Sequence, residues 1–427
     1  MKKVIIVGGG WSGASAAISA RNAGASVVVL ERTDMLLGTG LVGGIMRNNG
    51  RFTATEEAIA LGGGEIFETI EKNLRHKNME FPGHKHSDLY NVATIEPAVL
   101  ELLKGKGIEV RMETLISDAK VENGKIISVT TKGGEEFAGD VFIDATGTAG
   151  PMNNCTKYGN GCAMCVLRCP TYGGRVSLTG KLGITEKMGE KADGSIGAMS
   201  GSCKLLKESL SDEIVEKLDT TGVVVVAIPE HLKTGSEKLA KKACQQYALQ
   251  EFADNIILLD TGHAKLMNPF YPLADLRKIP GFEKARYEDP YAGNKGNSMR
   301  YMALAPRDDA LKVTGAENLF CGGEKAGLLV GHTEAIVTGM LAGHNAVRYA
   351  LGMEPLILPA ELAIGDAISY VNEAMKTVEG MRLKYTFSGS VYFNRMKEKG
   401  LYTTDVDAIK ERVEKTSLTG IFAQKLA

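Results

Sequence analysis

The chain of 427 residues lacks an excess of either charge: 50 Lys and Arg stand against 51 Asp and Glu, a formal net charge of −1. That removes any global pull toward nucleic acid or an acidic membrane and leaves only a locally basic face open. No apolar run approaches the ~20 residues that a membrane-spanning helix needs. In the opening MKKVIIVGGG the apolar run "VIIV" ends in glycines, too short for the core of a secretory signal. A cytoplasmic protein with no membrane partner is expected. Cysteine is scarce, seven residues in all, and in that compartment thiols are reduced, catalytic or metal-bound rather than disulfide-linked. The remainder is ordinary globular composition, 44% hydrophobic and 24% charged, and long enough for two or three units at roughly 150 residues each.

The first thirty residues carry the strongest pattern. Val4-Ile5-Ile6-Val7 reads as a strand buried on both faces. Gly8, Gly10 and Gly13 follow as G-x-G-x-x-G, then a helix of small residues from Ala14 to Gly24, then a second strand ending on Glu31 and Arg32. Gly8 makes the tight turn, Gly10 lets backbone approach a pyrophosphate, and Gly13 permits close packing of helix and strand. The helix start carries partial positive charge toward the phosphates. Glu31, eighteen positions after Gly13, is placed to accept hydrogen bonds from a ribose. No second G-x-G-x-x-G follows a strand anywhere. Val223 to Ile228 reads as a buried strand, but Pro-Glu-His replaces the phosphate loop. A separate nicotinamide domain is therefore not expected, and electrons come from a ferredoxin-like protein or a transiently docked NAD(P)H.

Three later stretches narrow the dinucleotide. "LLGTGLVGG", Leu36 to Gly44, is a glycine-rich loop soon after Glu31, with Gly43 and Gly44 suited to close approach of a ligand. Two hairpin turns at Asn123-Gly124 and Gly133-Gly134 lead into a strand ending Asp144-Ala145-Thr146-Gly147. "NLFCGGEKAGLLVGHTEAIVTGMLAGHNAV" reads as strand, glycine turn and small-residue helix. The set resembles the two-dinucleotide-fold FAD oxidoreductases of the glutathione-reductase type, over about Met1 to Gly150 and Val313 to Ala350. The late part is most similar to the GidA-related flavoproteins that modify uridine in tRNA. The resemblance implies FAD, with Gly147, Gly322, Gly323, Glu324, Thr333, Glu334 and Ala335 around the flavin. A helix starting near Thr333 would aim its positive end at the flavin ring.

The implied fold class is α/β: a Rossmann-like FAD-binding domain with an inserted α+β cap domain and a helical C-terminal segment. The expected bounds are 1–150 and 301–352 for the two parts of the FAD domain, 151–300 for the cap and 353–427 for the C-terminal segment. Within the cap, "SEKLAKKACQQYALQEFA" reads as an amphipathic helix, "NIILLD" as a strand, and the proline- and tyrosine-rich stretch after Asn268 as loop around a short helix.

Cys155, Cys162, Cys165 and Cys169 open the cap with the spacing C-x6-C-x2-C-x3-C, followed by Pro170. The ending resembles bacterial ferredoxin cluster loops, but six residues rather than two separate the first two cysteines. Thiolates are the usual ligands of iron–sulfur clusters, a C-x-x-C pair also serves as a redox dithiol, and a usual zinc site pairs two such knuckles where here there is one. Four thiolates without a metal would repel one another, so a [4Fe–4S] cluster leads, with a Cys162/Cys165 dithiol and structural zinc as alternatives.

Catalytic candidates are Cys162, Cys165 and His332, the last in the flavin-side turn. Cys321 reads as a small buried hydrophobe, Cys203 and Cys244 as inert, and His84 and His86 as solvated loop. Arg168 and Arg175 flank the cysteine run, where either would set its charge or hold an anionic substrate. From Ala374 to Ala427 ten Lys and Arg outnumber six Asp and Glu, and "DVDAIKERVEK" alternates in sign as an exposed helix does. The leading functional expectation is an FAD-dependent oxidoreductase coupling its flavin to the cysteine centre and a small-molecule substrate. The alternatives are an RNA uridine-modifying enzyme using folate and FAD, and a flavin electron-transfer module.

Overall fold

The computed structural model describes residues 1–147, 176–199, 203–233, 249–268, 271–288, 299–300 and 302–427. Its organising element is the apolar β-branched run at the start. Strand β1 (Lys3–Val7) buries Val4, Ile5 and Ile6 completely and lies between β2 (Ser26–Leu30) and β10 (Val141–Asp144), parallel to both. With β6 (Glu109–Arg111) and β19 (Leu319–Cys321) these strands form a parallel sheet in the order β19-β10-β1-β2-β6. Strands buried on both faces need continuous apolar sequence, which β1, β2 and β10 supply.

Two helices of small residues cover this sheet, Trp11–Asn22 and a later one, His332–Ala350. Their backbones nearly touch: a Cβ on Gly339 would lie 2.1 Å from the Ser12 carbonyl oxygen, and one on Gly343 2.2 Å from that of Ala16. Early and late sequence are thus one packed layer.

Two antiparallel sheets branch from the early part. One joins β3 (Ile45–Met46), β4 (Leu74–Phe81) and β5 (His84–Tyr90). The other joins β7 (Ile116–Glu122), β8 (Lys125–Thr131) and β9 (Glu136–Ala138) through the two expected turns. After it come two short ladders, β11 (Lys187–Met188) with β18 (Ala303–Leu304), and β12 (Ala198–Met199) with β17 (Met299–Arg300). Between them in sequence lies a four-stranded antiparallel sheet of β13 (Cys203–Leu205), β14 (Val223–Ala227), β15 (Asn255–Asp260) and β16 (Ala264–Leu266), in the order β13-β16-β15-β14. Strand β15 is buried on both faces, and period-two alternation divides it. Ile256 and Leu258 join the core of this sheet, whereas Ile257 and Leu259 pack with Ile45, Phe81 and Leu89 of the β3–β5 sheet.

The C-terminal segment is helical: Ala363–Ala374, Val378–Arg382, Ser390–Glu398 and Val406–Lys415. The last, the sign-alternating stretch, is exposed on one face and buries Ile409 and Val413 on the other. Leu273–Leu276 is the short helix expected among the proline-rich loops. Of the expected amphipathic cap helix only Gln250–Asp254 falls within the described residues; the boundary at 150/151 falls outside them. Among the described residues no helix is long and apolar enough to cross a membrane.

Two histidines lie inside this fold. His84, expected as solvated loop, is 2% exposed on β5, its Nδ1 2.8 Å from Asn48 Nδ2; His86 lies at the surface, its Nδ1 3.0 Å from Asn78 Oδ1. His344 is fully buried, neither ring nitrogen has a hydrogen-bond partner among the described residues, and its ring stands edge-on to Phe422. Burial holds His84 down to about 3 and His344 to about 4, from 6.5. A base depressed by folding leaves stability intact above its unfolded value and lowers it as pH falls from there toward the folded value. Between pH 7 and pH 5 each costs about 2 kcal/mol at 1.36 kcal/mol per pH unit. His344→Leu should therefore lose about 2 kcal/mol less than wild type between those pH values in urea unfolding. An identical loss in both proteins contradicts the assignment.

Candidate functional site

The parallel register decides where the glycine turns meet. Val7 lies beside Leu30 and Asp144, and Asp144 beside Cys321. The turns Gly8–Gly13, Glu31–Arg32, Ala145–Gly147 and Gly322–Glu324 therefore leave the sheet at one edge, the carboxyl ends of parallel strands where ligands of open α/β sheets bind.

Each glycine of the first turn has a different geometry. Gly8 has φ +105°, and a Cβ there would sit 2.4 Å from the Ala145 carbonyl oxygen. A Cβ on Gly13 would sit 1.9 Å from the Gly8 carbonyl oxygen, so helix and turn are in contact. Among the described residues there is nothing within 4 Å of a Cβ added to Gly10. Its open side leaves backbone within reach of a ligand. Glu31 straps the turn from β2: Oε2 accepts from the Gly9 N–H at 2.8 Å, and Oε1 accepts from the Thr33 N–H and hydroxyl, each at 2.9 Å.

The late turn closes on the same place. The Gly322 N–H donates to the Asp144 carbonyl at 3.1 Å, and the Gly323 N–H to Thr338 Oγ1 at 2.9 Å. A Cβ on Gly322 would lie 2.4 Å from Ser12 Oγ and 3.3 Å from Gly339 Cα, so this turn packs closely on both helices. Ser12 Oγ and Trp11 Nε1, both in the first turn of that helix, are buried without a hydrogen-bond partner among the described residues. Buried polar atoms are ordinarily satisfied. An open glycine, a helix start and unsatisfied donors at one sheet edge fit a dinucleotide. Glu324 is half-buried beside this turn, and a Cβ on Gly323 would lie 3.8 Å from the Ala335 side chain.

Behind the late turn, buried Lys325 donates to Glu186 Oε1 at 2.5 Å and stands 3.9 Å from Asp144 Oδ2. Burial raises the Asp144 carboxyl, with Lys325 opposing it. Cys321, on β19, is fully buried, and burial pushes its thiol up to about 12. It is a packing residue rather than a nucleophile.

The Leu36–Gly44 loop forms another wall. Leu37 N–H donates to the Gly9 carbonyl at 2.9 Å. A Cβ on Gly43 would lie 1.5 Å from His332 Cε1, and one on Gly44 2.3 Å from Thr261 Cγ2. Lys265, 4% exposed on β16, reaches across to donate to the Val42 carbonyl at 2.7 Å. His332 Nδ1 is 3.2 Å from the Tyr90 hydroxyl. Thr333 is fully buried, its Oγ1 3.8 Å from Met46 Sδ.

Glu334 behaves differently from the flavin-lining expectation. Its carboxylate is fully buried and points at Arg51, whose Nε donates to it at 3.0 Å; the Thr386 hydroxyl and Phe387 N–H also donate to it. Tyr90, Arg51 and Lys265 carried no sequence signal, because none belongs to a spaced motif. The four-cysteine run, Cys244, Arg168 and Arg175 lie outside the described residues. Among the described residues no three or more His, Cys, Asp and Glu side chains converge as a metal site.

The C-terminal basic excess is largely engaged within the fold. Arg395 and Lys399 pair with Asp366, Arg412 with Glu57, and Arg382 with Glu190. A carboxylate beside each of these cations weakens the case for a phosphate-binding face there.

Comparison with known proteins bears on this geometry. The profile of the FAD dependent oxidoreductase family matches residues 3–152, and that of glucose inhibited division protein A, GidA, matches residues 266–354. These segments contain both walls of the site. Over its first segment the chain is similar to the FAD-dependent oxidoreductases. Its late segment is GidA-like. The GidA structure from Aquifex aeolicus superposes with a TM-score of 0.68 at 17% identity, covering 99% of this chain and 73% of that one; this likeness concerns fold. The methylenetetrahydrofolate–tRNA-(uracil-5-)-methyltransferase TrmFO of Symbiobacterium thermophilum is 35% identical over 99 residues, 23% of this chain and 21% of that protein. That of Thermus thermophilus is 34% identical over 119 residues, 27% and 25% respectively. The matched stretch thus spans about a quarter of those relatives' length.

Proposed function

We propose that the chain binds FAD at this sheet edge and uses it to modify a uracil base of RNA with a folate-borne one-carbon unit. What supports the reading is the convergence of four turns on the open face of Gly10, together with relatives whose names describe that reaction. Gly8, Gly10 and Gly13 would hold the pyrophosphate, and Glu31 with Arg32 the adenosine ribose. Gly43, Gly44, Gly147, Gly322, Gly323, Glu324, Thr333 and Ala335 would line the flavin half. Glu334 would act from behind, through Arg51. When bound, FAD supplies two-electron redox chemistry, while the protein supplies orientation and exclusion of water.

Gly10→Val is the test of the cradle. Its backbone is extended, with φ −68°, and its surroundings are open, so the variant should fold with wild-type stability yet purify without flavin. A full flavin complement in that variant would remove the turn from the site. The activity is tested by supplying the flavin-loaded chain with methylenetetrahydrofolate, a reductant and unmodified RNA. 5-Methyluridine is the expected product, and flavin turnover with no change in RNA points to another substrate.

The second reading rests on the cysteine run. Cys155, Cys162, Cys165 and Cys169 would hold a [4Fe–4S] cluster exchanging electrons with FAD. Iron and sulfide near stoichiometry in anaerobically purified protein are expected on that reading, and their loss in Cys165→Ser with FAD retained. Iron-free anaerobic protein with a Cys162–Cys165 disulfide would replace the cluster by a dithiol.

A further inference from the structure

We infer that Asp260 is a positioning residue for the flavin half of the site: it clamps the turn after β15 onto the Val42–Gly44 loop. The inference deepens the proposed function and rests on it for the ligand's identity, but the clamp belongs to the chain itself.

Asp260 ends β15, and its side chain is fully buried. Oδ2 accepts from Arg75 Nε at 2.8 Å and lies 2.8 Å from His76 Nε2. Oδ1 lies 2.7 Å from Lys207 Nζ and accepts from the Gly262 N–H at 3.1 Å. Arg75 and His76 stand on β4, in the sheet that branches from the early part of the chain. Lys207 and Gly262 lie between β12 and β17 in sequence, as the four-stranded sheet does. One carboxylate therefore joins the two units. Burial works to raise it, but Lys207, His76 and Arg75 together hold it below its ordinary value. It is ionised and only accepts, so His76 Nε2 is a donor. Asp219 also meets Arg75 and Lys207, but from an exposed position, where such pairs contribute little.

The charge fixes a turn, and the turn touches the loop. Gly262 has φ +92°, and the Thr261 carbonyl accepts from the Val92 N–H at 3.0 Å. A Cβ on Gly44 would lie 2.3 Å from Thr261 Cγ2, so the buried Thr261 methyl lies directly on that glycine. Lys265 Nζ donates to the Val42 carbonyl at 2.7 Å. Removing the Asp260 charge leaves Arg75 and Lys207 facing one another across the same point, and like charges repel. The turn then loses its anchor, and the loop loses the wall it rests on. On the proposed reading the adenylate half of FAD meets Gly8–Gly13 and Glu31, whereas the flavin half meets Gly43 and Gly44. Asp260 should therefore act on one half of the dinucleotide and not on the other.

The test titrates flavin-stripped protein with FAD and with ADP, which keeps the adenosine and pyrophosphate and lacks the flavin half. Asp260→Asn should bind ADP as wild type does and FAD about tenfold more weakly, the scale of one lost contact. Thr261→Ala leaves the carboxylate in place, removes the methyl from Gly44, and should show the same split. Equal losses for both ligands, or no loss for either, overturn the inference. A readout without ligand is hydrogen exchange of the Leu36–Met46 stretch, which should quicken in both variants while β1 stays as protected as in wild type. Unchanged exchange in Thr261→Ala, a small truncation, overturns the inference even where Asp260→Asn does not fold. Wild type that binds neither ligand would sink the proposed function and leave exchange to decide the clamp.

Discussion

Arg51→Met should destabilise the protein by about 3–5 kcal/mol, the range for removing one partner of a buried ion pair. Arg51 is 8% exposed, and Glu334 is fully buried. Its Nε approaches the Glu334 oxygens at 3.1 and 3.0 Å, while Nη1 reaches Asn48 Oδ1 and Nη2 reaches Thr386 Oγ1. Without the guanidinium, the carboxylate keeps among the described residues the neutral donors Thr386 and Phe387 and no counter-charge. The double variant Arg51→Met/Glu334→Leu should regain most of the loss, because apolar replacement of a whole buried pair is often close to neutral. Urea unfolding of the three proteins decides it. A single-variant loss under about 1 kcal/mol contradicts a buried charged pair.

Gly339→Leu is expected to cost about 3 kcal/mol, the upper end for overpacking. The obstacle is backbone, not a side chain that can turn aside: the Ser12 carbonyl lies 2.1 Å from the added Cβ. The helix would have to leave the sheet edge, so FAD affinity should fall together with stability. Gly105→Ala is the control. It closes the helix Ile95–Gly105, has nothing within 4 Å of an added Cβ, and should be neutral or gain up to about 1 kcal/mol of helix propensity. Equal behaviour of the two variants in thermal unfolding would remove the close contact from the account.

These two predictions also mark what was legible in the sequence. The strand–turn–helix start and the late glycine turn are encoded in local spacing, so the parallel sheet and the edge where its turns gather were readable from a single chain. Glu334 stands in the same late stretch, and the family resemblance implies the flavin for it. Its partner Arg51 lies 283 positions away, and no local pattern encodes a pairing at that separation. The same holds for Tyr90, which reads only as one more residue of a hairpin strand until folding brings it to His332. "PGHKH" has no cysteine or carboxylate pattern nearby to make its histidines ligands and so reads as solvated loop, yet tertiary packing buries His84 on β5 beside Asn48. The sign-alternating C-terminal stretch reads as an exposed helix and is one, and folding adds what its sequence does not place there, the distant carboxylates Asp366 and Glu57 beside its cations.

The central claim is that the turns at the carboxyl edge of the parallel sheet form one dinucleotide site. It is tested most directly by titrating the flavin-stripped chain with FAD and, separately, with FMN, following flavin fluorescence. Saturable binding of one FAD per chain, with FMN binding far more weakly because it lacks the adenylate half held by Gly8–Gly13 and Glu31, is the predicted result. Equal affinity for both flavins, or no binding of either, would contradict it.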